Sequence, residues 1–275
     1  MNDIQKHILD IFKEIAKICK ANDIDYYALG GTCIGAVRHS GFIPWDDDLD
    51  IAIPIEQFDT FLAVAKRKLP EYLKIVTPYE SRHNPLFFIK VINVNTTMIE
   101  RCFIDYPDMY GGVWLDIFPL AGIPKERKKR NTFYHKGIWL ERINKKTSLK
   151  FNIEKSICGK VAWLIFFPFR LLPKGYLWKK WKKELAKYPL KESVYTGHVW
   201  ESKMTYLTFP SEFFLSYIEF PFEDTVIRCP KGYHEYLTQF FGDYMKLPPV
   251  EMQNSGHDFD GGIIDLKNSF QDYRK

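Results

Sequence analysis

The segment Asp46-Asp47-Asp48-Leu49-Asp50 places four carboxylates within five residues. Carboxylates this close repel one another, and their unpaired burial would oppose folding, so a cation bound among them best explains the cluster. Asp48 and Asp50 lie two apart in a run that alternates polar and apolar residues, so both point to the same side of a strand. Oxygen ligands without a neighbouring His/Cys set favour Mg²⁺ or Mn²⁺ over Zn²⁺. The alternative is an acidic loop without a metal.

A further carboxylate, Asp116, is surrounded in sequence by Trp114, Leu115, Ile117 and Phe118. This apolar setting predicts a strand within the core, where a lone acid is costly without a role or a partner. If that strand lies beside the Asp48/Asp50 strand, three carboxylates converge on one metal site. The alternative is an aspartate satisfied by the backbone or by a buried arginine.

Gly30-Gly31-Thr32 lies between a predicted strand and a predicted helix. Glycines allow close approach at such a turn, and free N–H groups at the start of a helix suit phosphate oxygens. Arg38 and Lys90 are the cations that we expect near these phosphates, and the alternative for each is a surface or structural charge.

Several elements must position these residues. The apolar spacing predicts an amphipathic helix over 2–21 and another over 55–68, after a strand that ends at Pro54. The remaining strands are predicted at 25–29, 46–54, 86–92, 97–101 and 113–118, and a helix is expected to begin at Cys33. This succession predicts an α+β fold with a mixed sheet flanked by helices.

Composition limits the classes of protein. The chain has 275 residues, of which 46% are apolar, and a net charge of +5, which excludes a disordered protein, and no repeat spacing is present. Five dispersed cysteines without a C-x-x-C pair indicate neither a disulfide framework nor a structural zinc site. No secretory signal is recognisable in the first residues, so a cytoplasmic, reduced protein is expected.

The positive charge is concentrated in one segment. Residues 125–191 hold 20 Lys/Arg and 4 Asp/Glu, a balance of +16, whereas the rest of the chain is at −11. We therefore divide the chain into a catalytic core (1–124), a basic helical insert (125–191) and a C-terminal region (192–275) that packs on the core and completes the acceptor site. A basic insert suggests an anionic partner, either nucleic acid or a membrane surface.

The insert also contains an aromatic, apolar run at residues 161–173. This run is too short to span a bilayer, and Pro168 and Arg170 interrupt it. Together with Trp178, Trp181 and the lysines at 179–183, it is typical of an element lying at an anionic membrane surface. The alternative is a core helix with a solvated basic face.

The motifs taken together resemble one family. Gly31–Ile51 is similar to the signature of the LicD family, within the nucleotidyltransferase superfamily, and Trp114–Leu120 is similar to its second block. A third match covers Pro230–Leu237 and then Phe241–Pro249. The three blocks follow one another along most of the chain.

The resemblance implies a metal-dependent transferase that moves phosphocholine, or a related phospho-alcohol, from CDP-choline or another CDP-alcohol to a hydroxyl of a cell-surface glycan, releasing CMP. The acceptor is a glycan or lipid-linked glycan of a capsule, teichoic acid or lipopolysaccharide. Mg²⁺ on Asp48 and Asp50 would neutralise the diphosphate, and Asp116 would complete the metal site or accept the acceptor's proton.

A choline head would be held by an aromatic cage, for which the candidates are Trp45, Tyr106, Tyr110, Trp114 and Trp200. Trp45 is the candidate that we place in the substrate site, and His198 and His257 are lesser candidates on the acceptor side.

Two alternatives remain open. One is transfer of a nucleotide to a small alcohol or antibiotic on the same fold. The other is a non-enzymatic nucleic-acid-binding protein, which leaves the aspartate cluster unexplained; no nucleic-acid partner is therefore expected.

Overall fold

The computed structural model describes residues 1–148, 150, 156–199, 207–255, 257 and 259–274. Its largest sheet has five strands, namely β1 (Tyr27–Ala28), β2 (Asp50–Pro54), β3 (Leu73–Val76), β4 (Ile89–Asn93) and β6 (Trp114–Leu120). Their order across the sheet is β1-β2-β6-β4-β3. The β2–β6 pair is parallel, and the other pairs of this sheet are antiparallel. The expectation of a mixed sheet flanked by helices is confirmed.

Helices α1 (Asp3–Ala21) and α3 (Ile55–Lys68) pack on this sheet, as their apolar spacing predicts. A capping box at Asn2 and Gln5 satisfies backbone N–H groups at the start of α1. Ile8, Phe12 and Ile15 are fully buried one helical turn apart, which explains why this face lies against the sheet.

The strand at 46–54 is shorter than predicted. Asp46 to Leu49 form an irregular segment, and the strand begins at Asp50 and ends at Pro54. The helix expected from Cys33 begins three residues earlier, at Gly30, as α2 (Gly30–Ile34), and continues as a π-helical turn over Gly35–His39. The glycine pair therefore forms the first turn of the helix.

Three small sheets surround the main one. β12 (Ile263–Asp265) pairs with β5 (Thr97–Ile99), so the C-terminal region is attached to the core. A hairpin joins β10 (Tyr217–Phe222) to β11 (Thr225–Pro230) and is followed by α7 (Tyr233–Phe241). The third small sheet consists of β7 (Gly122–Ile123), β8 (Tyr195–Gly197) and β9 (Thr208–Pro210).

The basic segment is helical, as expected. It contains α4 (Arg127–Ser148), α5 (Ile157–Phe166), a 3₁₀ turn (Phe167–Leu171) and α6 (Tyr176–Leu185). β7 and β8 pair on either side of this segment, so the chain leaves and returns at one small sheet. Among the helices in the described part of the chain, none combines the length and the apolar character needed to cross a membrane.

The interpretation of Trp178 and Trp181 as membrane-facing residues is wrong. Both side chains are buried, Trp178 against Phe58 and Phe87 and Trp181 against Phe133. They share one face of α6, and this face packs on the core because it carries the large apolar groups.

His198, next to β8, is buried among Phe209, Tyr236 and Phe240. Burial excludes the charged imidazolium and lowers the pKa of His198 to about 3. Between pH 6.5 and about 3 the unfolded chain binds a proton at this residue that the folded chain does not. The contribution of His198 to the free energy of unfolding is therefore present above pH 6.5 and is lost as the pH falls.

As the pH falls from 6.5 to about 3, we expect the free energy of unfolding of the wild type to decrease by up to about 1.4 kcal/mol per pH unit more than that of His198→Gln. Urea unfolding at several pH values measures the difference between the two slopes. His135→Gln, at an exposed position of α4, is the matched control and should follow the wild type. Parallel curves for wild type and His198→Gln would contradict a neutral, buried His198.

Candidate functional site

The parallel pairing of β2 with β6 sets Asp50 directly beside Asp116. The register is continued on the other side of β6, where Lys90 of β4 pairs with Asp116. Three charged residues thus lie in a row across neighbouring strands and on one face of the sheet. The adjacency of the Asp50 and Asp116 strands is the condition on which the predicted three-acid site depends, and it is confirmed.

Two polar side chains hold the acidic segment in place. Gln5 of α1 is buried and donates hydrogen bonds to the carbonyl oxygens of Ile43 (3.2 Å) and Asp46 (2.8 Å). The hydroxyl oxygen of Thr32 accepts a hydrogen bond from the backbone N–H of Asp50 at 2.8 Å. The start of β2 is therefore fixed from both α1 and α2, which is how the fold can keep acidic residues in a defined arrangement.

The first turn of α2 lies against these acids. Gly30 has a φ of +46°, and its N–H donates to the hydroxyl of Tyr236 on α7 at 3.1 Å. At Gly31, a Cβ would stand 2.9 Å from a carboxylate oxygen of Asp46, closer than normal packing allows. The close approach of the Asp46 side chain favours glycine at position 31. The binding of phosphate by this turn stays a prediction.

The acids perturb one another. Burial raises the pKa of Asp46, and it raises the pKa of Asp48 strongly, helped by the charge of Asp46. The pKa of Asp50 is likewise well above its ordinary value because of burial and the nearby charges of Asp48 and Asp116. Burial also raises the pKa of Asp116, although Lys90 acts in the opposite direction. The cluster lacks positive charge, which a bound cation would supply.

Two cationic side chains reach the cluster. The ammonium of Lys90 lies 3.2 Å from Oδ1 of Asp116 and 3.8 Å from the centre of the Trp114 ring. His257 forms a 2.7 Å hydrogen bond between its Nδ1 and Oδ1 of Asp47, and its Nε2 lies 3.9 Å from Asp48. Burial opposes the charged imidazolium, but the hydrogen bond to Asp47 and the charges of Asp47 and Asp48 raise the pKa of His257.

The residues present fit a hard divalent cation. The donor set is dominated by carboxylate oxygens, and the buried carboxylate of Asp116 has the ammonium of Lys90 beside it, 3.2 Å from Oδ1. Within that part of the chain, Asp47, Asp48 and His257 are the group whose potential ligand atoms all lie within 4.8 Å of one another. The predicted trio Asp48, Asp50 and Asp116 is more widely spaced, so its assignment to Mg²⁺ or Mn²⁺ stays a prediction.

The other predicted binding residues lie at varying distances from the acids. Arg38 donates from Nη1 to the backbone carbonyls of Tyr244 at 2.5 Å and of Lys246 at 3.3 Å, and burial lowers its pKa. Trp45 is half-buried and makes an edge contact with His39, 6.4 Å between ring centres. The structural contacts of Arg38 bind the C-terminal region to α2, and the roles of both residues towards a substrate stay predictions.

Of the aromatic cage candidates, Trp114 lies beside the acids, with its ring centre 5.6 Å from that of His257. Tyr106 packs against His83 and Phe103, away from the contacts of Trp45. Tyr110 and Trp114 line a cleft of about 40 Å³ together with Lys90. Trp200 lies outside the described residues.

A cavity of about 450 Å³ opens beside the acids, at Gly30, Gly31 and Asp50. Phenylalanine side chains from the sheet and from α7 form much of its wall, and α4 and the buried His198 close it. It is large enough for a small organic ligand, and it touches both the predicted phosphate turn and a predicted metal ligand.

His257 is the residue at this site that sequence reasoning ranked too low. Its contact with Asp47 joins residues 210 positions apart, and no local sequence pattern predicts a contact over that separation. The third family-like block ends before it, so the available signal was a lone histidine in a polar segment.

Comparison with known proteins agrees with this arrangement. The family described as LicD/FKTN/FKRP, nucleotidyltransferase domain, matches residues 23–154. The chain is 32% identical over 270 residues to a protein of Haemophilus influenzae named lipopolysaccharide cholinephosphotransferase LicD, covering 91% of this chain and 92% of that protein.

Shorter similarities link the chain to two uncharacterised proteins. One, from Rickettsia typhi, is 35% identical over 82 residues, or 30% of this chain and 25% of that protein. The other, from Rickettsia prowazekii, is 46% identical over 46 residues, or 17% of each chain. Because the similarity to the Haemophilus protein extends over nearly the full length of both proteins, this chain belongs to the LicD family of transferases.

Proposed function

We propose that the protein transfers phosphocholine from CDP-choline to a hydroxyl group of a lipopolysaccharide or related glycan, with release of CMP. The observation that carries this proposal is the Asp50–Asp116 pair beside the first turn of α2, in a chain that matches a lipopolysaccharide cholinephosphotransferase over 91% of its length. A related CDP-alcohol is the alternative donor on the same site.

Asp48, Asp50 and Asp116 are the residues that we propose to hold Mg²⁺ or Mn²⁺. When bound, the ion supplies positive charge that neutralises the diphosphate and the charge developing on the leaving CMP. Thr32 and Gln5 act by positioning: each fixes backbone atoms of the acidic segment, so that the carboxylates are oriented before the substrate arrives.

Lys90 stands beside Asp116 and is the side chain that we place closest to the transferred phosphate. Its ammonium stabilises negative charge there while it restrains the orientation of Asp116. Asp116 accepts the proton of the attacking hydroxyl if it is not a metal ligand, because burial has raised its pKa above that of an ordinary aspartate. The acceptor is expected on the side bounded by the C-terminal region.

Donor specificity tests the proposed function. Purified protein with Mg²⁺ should release CMP from CDP-choline in the presence of a glycan acceptor, and EDTA should abolish the release. Release of pyrophosphate from CTP with transfer of CMP to an alcohol would show nucleotidyl transfer and would contradict the proposal. Absence of binding to every CDP-alcohol, in a folded protein with Mg²⁺, would also contradict it.

The variant Asp50→Asn tests the acid site directly. It keeps the size of the side chain and the hydrogen bond from the residue 50 backbone to Thr32. We expect CMP release to fall by more than about 100-fold, because a charge that faces the transition state is lost. The metal-free variant should unfold at a higher temperature than the wild type, since removal of one of several like charges relieves repulsion.

Asp10→Asn, on the exposed side of α1, is the matched control and should keep wild-type turnover. Turnover by Asp50→Asn near the wild-type rate would rule out Asp50 as a ligand or charge-stabilising group.

We also propose that the basic segment places the enzyme at an anionic membrane surface, where a lipid-linked acceptor is found. α5 and the 3₁₀ turn after it leave large apolar side chains exposed, with Ile157 at 82%, Ile165 at 66% and Leu171 at 78% of their full accessibility. Apolar side chains beside a surplus of lysine are the pattern of an interfacial element.

Substitution of the exposed lysines Lys179, Lys180 and Lys183 by Gln should weaken binding to phosphatidylglycerol vesicles by about 1 kcal/mol per charge at low salt. Turnover with a soluble acceptor should be unchanged, because these side chains are exposed and none of them lines the cavity beside the acids. Ile157→Ser with Leu171→Ser should weaken the same binding, whereas Val250→Ser, at an equally exposed apolar position, should not. If the triple lysine variant and the Ile157→Ser/Leu171→Ser variant both bind vesicles as the wild type does, the proposed binding of the basic segment to a membrane surface is contradicted.

A further inference from the structure

One wall of the 450 Å³ cavity has a distinct chemistry. Phe88 and Phe118 extend from the sheet, Phe240 and Phe241 extend from α7, and Glu141 of α4 faces them. The ring centres are 4.5 Å apart in the first pair and 4.2 Å apart in the second. Lys145, which is ion-paired with Glu141, also lines the cavity, so this wall combines aromatic side chains with one carboxylate and its paired ammonium.

Glu141 is the unusual group in this wall. Its side chain is buried, and Oε1 is paired with the ammonium of Lys145 at 2.6 Å, on the more exposed side of α4. Oε2 is inaccessible and, among the residues that the structure describes, receives no hydrogen bond. A buried carboxylate oxygen without a partner is costly, so a positively charged ligand in the cavity would stabilise it.

The aromatic rings narrow the kind of cation. The faces of phenylalanine rings attract positive charge but accept conventional hydrogen bonds poorly. A quaternary ammonium has no N–H to satisfy and is attracted by both the rings and the carboxylate. A polyol head would leave its hydroxyl groups with few partners against the same wall.

The distance between the aromatic wall and the acids matches a ligand whose phosphate and ammonium are joined by a short chain. Asp116 and Phe118 lie two residues apart on β6 and so face the same side of the sheet. Two residues of a strand extend roughly 7 Å. A phosphate held at the acids and joined to an ammonium by a two-carbon chain would bring the ammonium to the rings.

We propose that this wall is the binding site for the quaternary ammonium of the transferred alcohol. Glu141 supplies the negative charge, and Phe88, Phe118, Phe240 and Phe241 supply the aromatic surface. This inference rests on the proposed function, and it assigns the donor's head group to residues other than Trp45 and the remaining predicted cage. It also gives α4 of the basic segment a part in donor binding.

The test is calorimetric binding of CDP-choline, CDP-glycerol and CMP, each with Mg²⁺, to wild type, Glu141→Gln and Phe241→Leu. Phe241 is partly exposed, so its substitution by leucine preserves the fold and removes only an aromatic face. Each variant should bind CDP-choline about 2- to 30-fold more weakly than the wild type. Binding of CDP-glycerol and CMP should be unchanged, because these ligands place no cation against the wall.

Glu126→Gln, which removes an exposed glutamate just before α4, is the matched control and should bind all three ligands as the wild type does. If the wild type binds none of them, the proposed function fails. If the wild type binds them and the variants lose all three equally, the wall holds the nucleotide and the inference is overturned. It is also overturned if both variants bind CDP-choline as tightly as the wild type.

Discussion

The parallel pairing of Asp50 with Asp116 is the constraint on which the site depends. It brings two carboxylates side by side on strands whose other residues are apolar, and Asp48 and Asp46 add further negative charge from the preceding segment. Such an arrangement opposes folding unless the rest of the structure holds it and a cation compensates for it. Lys90 and His257 supply part of the compensation.

The surrounding elements can be understood as supports for this arrangement. α1 reaches the acidic segment through Gln5, α2 reaches the start of β2 through Thr32, and α7 reaches the first turn of α2 through Tyr236. Each contact joins distant parts of the sequence. The C-terminal region is therefore joined to the candidate site, through Tyr236 at the α2 turn and through His257 at Asp47.

Much of this frame is predictable because it is written in local patterns. The alternation of residues 49 to 53 predicts a strand, the apolar setting of Asp116 predicts another, and both strands are present. The predicted start of β2 at Asp46 is wrong, and the strand begins at Asp50. Asp46, Asp47 and Asp48 are consecutive acids, so the polar–apolar alternation typical of a strand begins only at Leu49. The packing of α6 on the core can also be predicted from its sequence, because its large apolar residues share one helical face. These residues are Leu177, Trp178, Trp181 and Leu185. The lysines beside these residues are equally typical of a membrane-surface element, which is why the two tryptophans were predicted to face a membrane.

The contacts of His257 and Glu141 could not be predicted in the same way. Their significance comes from residues far away in the chain: Asp47 for His257, and the rings of the sheet and α7 for Glu141. In the sequence, nothing distinguishes Glu141 from the other acids of residues 125–191, which hold four acidic and 20 basic residues. A side chain's partner across a cavity depends on tertiary packing, which neither periodicity nor composition encodes.

The most direct test of the central claim is a titration of Mn²⁺ into the metal-free protein, followed by electron paramagnetic resonance, for wild type and Asp116→Asn. If the paired acids form the cation site, the wild type binds Mn²⁺ stoichiometrically and added Mg²⁺ displaces it, whereas Asp116→Asn binds it at least tenfold more weakly, on the order expected for loss of a carboxylate ligand. Equal binding by the two proteins would contradict the claim and would move the cation to Asp47, Asp48 and His257.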